Sequence, residues 1–159
     1  MKTYQKLLGT SCLTLYLMGC GSGGGGESPV EMSKNSEGEF QISSKADSVT
    51  IQGVKLNRGN CVVNFVPVGE AVLMGVLSQI TPISMQDFKD MASVYKDFDQ
   101  KERLANIENK ISQLEQKGVM MEPQTLKFGE SLKGISQGCD IIEAEIQTDK
   151  GAWTFNFNR

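Results

Sequence analysis

Residues 84–117 repeat their apolar positions at helical spacing, and strand-like patterns flank them on both sides. Phe88, Met91, Tyr95 and Phe98 recur at intervals of three and four, as do Leu104, Ile107, Ile111 and Leu114. Ser84 with Asp87 three residues on approximates a capping box, and Gly118 stands where a helix C′ residue is expected. The two apolar stripes fall out of register by two residues across residues 99–103. The insertion is therefore one long helix facing two partners, or a helical hairpin. A short partner-binding seam is the alternative to plain core packing, but two heptads are fewer than a coiled coil usually needs.

On the N-terminal side, Ser48-Val49-Thr50-Ile51-Gln52-Gly53-Val54-Lys55-Leu56 reads as a strand. Val49 and Ile51 are out of phase with Val54 and Leu56, and Gly53 at the change predicts a β-bulge. Asn57-Arg58-Gly59-Asn60 is expected to turn, and residues 61–66 to return as the second strand of a hairpin. Residues 72–77 are apolar but short, either a buried strand or a connection. On the C-terminal side, residues 126–135 carry strand pattern with Phe128, Leu132 and Ile135. Ile142, Ala144 and Ile146 then alternate with polar neighbours up to the turn Thr148-Asp149-Lys150-Gly151. Trp153, Phe155 and Phe157 follow on one face, which should be buried because aromatic rings remove the most apolar area from water. The fold class expected is α+β: an antiparallel sheet of about five strands, with the helical insertion at about 84–117.

The first residues have a different character. Lys2 and Lys6 precede a mostly apolar run over residues 7–18, too short to cross a bilayer core that takes roughly 20 residues. The run ends in Leu17-Met18-Gly19-Cys20. This motif resembles the lipobox of bacterial lipoproteins. The resemblance implies a signal peptide over 1–19, cleavage before Cys20, and acyl chains on Cys20. Gly21 rather than Asp at the next position implies, by the same resemblance, an outer-membrane destination. Each buried methylene contributes about 0.8 kcal/mol, so two or three chains hold a protein where one does not. The alternatives are an ordinary secretory signal with Cys20 as a structural thiol, or an uncleaved anchor helix.

Residues 20–38 read as a flexible tether, beginning with Gly21-Ser22-Gly23-Gly24-Gly25-Gly26. A glycine run after the lipidated cysteine is similar to that of several surface-exposed lipoproteins of Gram-negative bacteria; a periplasmic spacer accounts for it equally well. A single domain over 39–159 follows. Within it, Asn57 to Cys61 and Asp149 to Phe157 resemble segments of small, uncharacterised bacterial envelope proteins, and no activity follows from that.

Composition limits the chemistry. Four cysteines occur: Cys12 goes with the signal, Cys20 takes lipid, and Cys61 and Cys139 remain in an oxidising compartment. A bridge between them closes a loop of roughly 80 residues, a restraint of about 4–4.5 kcal/mol in the chain-entropy model. Two buried free thiols, or one reactive thiol, are the alternatives. Histidine is absent, which removes Ser-His-Asp and Cys-His catalysis and the common zinc sites. Without Lys2 and Lys6 the 16 basic residues become 14 against 19 acidic ones, with no basic cluster, so nucleic acid is not an expected partner.

No motif assigns a cofactor, a metal or a catalytic residue. Glu143 and Glu145 share a strand face, but the opposite face is apolar, so these carboxylates are expected in water. Asp87, Asp90, Asp97 and Asp99 do not fit a calcium loop. Residues 21–26 lack the Lys-Ser/Thr of a phosphate loop. Met120 and Met121 line a pocket or pack a loop. The function expected is a non-enzymatic, membrane-anchored envelope lipoprotein that binds or scaffolds another envelope protein or a surface ligand. The alternative is an inhibitor or exclusion lipoprotein that blocks an incoming enzyme, phage or conjugation machinery.

Overall fold

The computed structural model describes residues 27–157. The expected signal peptide, Cys20 and the glycine run lie outside the described residues. The class is α+β, with seven strands in two antiparallel sheets and three α-helices among the described residues. In chain order the elements are β1 (Val30–Lys34), β2 (Glu39–Ser44), β3 (Ser48–Leu56), α1 (Val68–Met74), α2 (Met85–Asp97), α3 (Lys101–Lys117), β4 (Gln124–Lys127), β5 (Ser131–Ile135), β6 (Glu143–Thr148) and β7 (Gly151–Asn156). The smaller sheet has order β1-β2-β5 and the larger β4-β3-β6-β7.

The expectation of one sheet of about five strands is corrected to two sheets. The tether boundary moves as well. Residues 30–34 form β1, paired along its whole length with β2, and Val30 is fully buried. Val-Glu-Met-Ser-Lys alternates, which suits a strand once its apolar side has a core to face.

The bulge in β3 is present. Pairing with β6 shifts register between Ile51 and Gly53. The extra residue turns the second half of the strand over, so Val49, Ile51, Val54 and Leu56 all reach the same core. Residues from both sheets meet there, with Ile42 and Phe40 from the smaller and Ile146 and Ala144 from the larger, joined by Ile141 from the loop before β6. Trp153 is buried as expected, while Phe155 and Phe157 are half-buried against this core. Phe128 sits in the turn between β4 and β5 and is exposed.

The helical insertion is a hairpin. Ser84 Oγ accepts from Asp87 N–H at 3.0 Å and the Asp87 carboxylate accepts from Ser84 N–H at 2.9 Å, completing the capping box. α2 ends at Asp97, and Asp99 takes a positive φ of 55°, a conformation short polar side chains tolerate. That turn absorbs the slip between the two apolar stripes. Gly118 closes α3 in the left-handed region. A second, smaller core forms from Val68, Met91 and Tyr95, with Leu104 and Ile107 packed on it. Phe98, expected in the stripe, lies past the last helical turn and is exposed.

Residues 61–66 do not return as a strand beside β3, so the expected N-terminal hairpin is absent. Only Cys61 bridges back, to Leu56. Three successive positive φ values, at Asn57, Arg58 and Gly59, swing the chain away. Asn57 is held in that conformation by its side chain. Its Oδ1 accepts from Ile142 N–H and Glu143 N–H at 2.9 and 3.0 Å, and its Nδ2 donates to Asp140 O at 2.9 Å. Residues 72–77, expected as a strand or connection, form the end of α1, its left-handed stop at Gly75 and the start of a 3₁₀ turn at Leu77.

Cys61 and Cys139 are disulfide-bonded, with their Cα atoms 6.0 Å apart. The bridge ties the segment leaving β3 to the loop entering β6. A sequence separation of 78 residues makes the expected cost of reduction about 4.5 kcal/mol in the chain-entropy model. Urea unfolding with and without reductant measures it. A loss below about 1 kcal/mol would show that the bridge does not restrain the unfolded chain.

Candidate functional site

The site is built from the irregular segment that leaves the disulfide. Residues 63–66 cross from the larger sheet to the smaller one, and their backbone groups are met from several directions. Val63 C=O accepts from Ser84 Oγ at 2.6 Å. Asn64 exchanges both backbone hydrogen bonds with Ile135 at the outer edge of β5, at 3.0 and 2.8 Å. Phe65 N–H donates to both oxygens of the Asp87 carboxylate at 3.1 Å.

Asp87 is the hub of this arrangement. It is fully buried. Besides Phe65 N–H it accepts from Asn64 Nδ2 at 2.9 Å, Val66 N–H at 3.4 Å, Ile83 N–H at 3.1 Å and Ser84 N–H at 2.9 Å. Five donors thus converge on one carboxyl group. The helix N-terminus adds its dipole to the same place. A buried charge is tolerated only when it is hydrogen-bonded in this way. The capping role is legible in the sequence; the capture of residues 64–66 is not.

The captured segment forms one wall of a cleft of about 870 Å³. The floor is the outer face of the smaller sheet. Ser33, Gln41 and Lys133 lie in register across its three strands. The opposite side is the start of α1 with Glu70, and Asp90 from α2. Asp90 is fixed by Asn64 Nδ2 at 3.0 Å and Gln86 Nε2 at 2.8 Å. Lys133 and Glu70, of opposite charge, make no ion pair among the described residues. Phe40 and Phe65 pack edge to face beneath, with centroids 5.9 Å apart.

Gly134 makes the close approach possible. A Cβ there would meet the Phe40 ring at 2.5 Å and Asn64 O at 3.0 Å. The edge of β5 is only partly covered. In the antiparallel alternation with β2, fixed by the bond from Ser44 N–H to Glu130 O, residues 131, 133 and 135 turn their backbone groups outward. Ile135 is taken by Asn64; the Lys133 N–H and C=O, on the cleft, have no partner among the described residues. The arrangement offers main-chain pairing to an extended segment, flanked by Lys133 and Glu70, which make no ion pair among the described residues.

The other singled-out residues lie elsewhere. Glu143 and Glu145 sit half-buried on β6, each beside a cation: Arg58 Nε at 3.3 Å and Lys55 Nζ at 3.7 Å. They are surface ion pairs of little energetic weight. Asp97 and Asp99 are exposed at the helical turn, away from Asp87 and Asp90. Among the described residues no group of three or more acidic or sulfur ligands could hold a metal ion. Met121 packs fully buried and bridges to Ser84, while Met120 is partly exposed on a smaller hollow beside Cys61. Compared with known protein families, curated proteins and solved structures, the chain matches none.

Asp87→Ala would leave the buried N–H of Ser84 and the half-buried N–H groups of Phe65, Val66 and Ile83 without this acceptor. It is expected to lower unfolding stability by about 3–5 kcal/mol, read as a shift in the urea midpoint. A loss below about 1 kcal/mol would show that water replaces the carboxylate without difficulty.

Proposed function

We propose that this chain is a non-enzymatic lipoprotein of the cell envelope, held to the outer membrane by acyl chains on Cys20. Its domain binds an extended segment of another envelope protein in the cleft beside β5. The observation that carries the reading is the unpaired Lys133 backbone beside a cleft with fixed walls. Main-chain pairing at a sheet edge supplies affinity, and the flanking side chains supply selection. Lys133 and Glu70 suit a segment that carries both signs of charge. The motif Leu17-Met18-Gly19-Cys20 supports the anchor. The Cys61–Cys139 bridge supports an oxidising compartment, where such bonds persist.

A second reading has its own observation. Leu73 and Met74 at the end of α1 are 88% and 72% exposed, beside the helix-ending Gly75. Large apolar side chains exposed on the last turn of a short helix suit a plug, as an inhibitor or exclusion lipoprotein would need. Leu73→Asp with Met74→Asp is expected to sensitise cells to the blocked intruder while the unfolding midpoint stays put. Unchanged resistance would remove this reading.

Two measurements test the main reading. Cys20→Ser is expected to shift the chain from the membrane to the soluble fraction and to leave its precursor unprocessed; a product still membrane-bound and processed would overturn the anchor. A photoreactive residue at position 41 is expected to cross-link one envelope protein in living cells. Lys133→Pro removes the edge donor where a proline is tolerated, and is expected to cut that adduct at least tenfold. An adduct of undiminished intensity would contradict pairing at β5.

A further inference from the structure

β7 is the outermost strand of the larger sheet. Its pairing with β6 determines where its backbone points. Phe157 N–H donates to Ile142 O, so in antiparallel alternation Gly151, Trp153 and Phe155 turn their N–H and C=O toward β6. Ala152, Thr154 and Asn156 turn theirs outward, and none of those backbone groups is hydrogen-bonded among the described residues. Free edges are usually blunted by charge, proline or a bulge. β7 has none of these: Gly151–Asn156 contains no charged residue and no proline, and it pairs with β6 without a register shift.

The other edges differ. β1 carries Glu31 and Lys34, β4 has only four residues and ends in Lys127, and β5 carries Lys133 and is partly covered by Asn64.

We propose that β7 is a self-association edge, on which a second copy of this chain pairs antiparallel about a twofold axis centred on Thr154. The strand is its own complement in that register. Thr154 would exchange both backbone hydrogen bonds with the partner subunit's Thr154, and Ala152 with the partner subunit's Asn156. On the core-facing side Trp153 comes beside the partner subunit's Phe155, an aromatic pair of the kind that favours antiparallel strands. No like charges meet across the axis, because the strand has none. The isologous contact closes on itself and joins two four-stranded sheets into one. It is separate from the cleft beside β5 and does not depend on how the chain is anchored.

The test uses the full chain in cells. Residues that exchange both hydrogen bonds lie ~5.5 Å apart at Cα, within the roughly 4.4–6.8 Å that a disulfide spans. Thr154→Cys is therefore expected to give a reductant-sensitive band at twice the monomer mass. Lys101→Cys, on the exposed start of α3, is expected to give at least tenfold less. Adding Asn156→Pro to Thr154→Cys removes an outward donor at a position where an edge strand accepts proline. It is expected to reduce the band at least tenfold at an unchanged unfolding midpoint. Four results would overturn the proposal: monomer alone, an adduct with a different protein, equal cross-linking at position 101, or a dimer band indifferent to Asn156→Pro. If Asn156→Pro fails to fold, the comparison of positions 154 and 101 decides.

Discussion

One buried carboxylate holds together parts of this protein that share no secondary structure. Asp87 caps the helix that contains it and, from the other side, collects the Asn64 side chain and the backbone N–H groups of Phe65 and Val66. Ser84 and Ile135 hold Val63 and Asn64, but the stretch that follows them relies on that acceptor. It belongs to no strand, and the half-buried N–H groups of Phe65 and Val66 would be left unpaired. A buried polar group left without a partner costs more than the hydrogen bond itself contributes. The carboxylate therefore selects one path for the chain, and that path determines the rest: the bridge from Asn64 to β5, the wall of the cleft, and the placement of Asp90.

The disulfide and Asn57 act on the same segment from its other end. Asn57 turns the chain out of β3 by accepting from the start of β6. Cys61, four residues past Asn57, is then tied to Cys139. Both ends of the crossing are thus anchored by contacts more than twenty residues away in sequence. Between them the smaller sheet, the larger sheet and the helical hairpin each supply a share of the surroundings. The two apolar cores are consequently distinct: one between the sheets, the other among the helices. The cleft at the junction of these layers is closed where the anchors lie and open where the β5 edge runs on.

Local patterns were readable in the sequence. The capping box at Ser84, the left-handed Gly118, the bulge at Gly53 and the final hairpin each follow from a handful of adjacent residues, and each is found. The two helical stripes posed the question of one helix or two, and the positive φ at Asp99 answers it. What depended on distant partners was not readable. Val62, Val63 and Phe65 look like strand residues, yet the disulfide, Ser84 and Asp87 take their backbone elsewhere. Val68–Met74 is too short for periodicity to separate helix from strand. β1 was hidden by the glycine and serine around it, although Val30 and Met32 alternate. The cleft was invisible because its floor, wall and rim come from β1, β2, residues 64–66, β5, α1 and α2. The sole local hint was Asn64, a lone amide in an apolar run.

The central claim is that Asp87 fastens residues 64–66 although they form no regular element. Native-state hydrogen exchange of the unmodified protein tests it directly. The account predicts that the Phe65 amide exchanges as slowly as the amides of β3 and β6 in the sheet core. A Phe65 amide that exchanges at the rate of an exposed loop would contradict it.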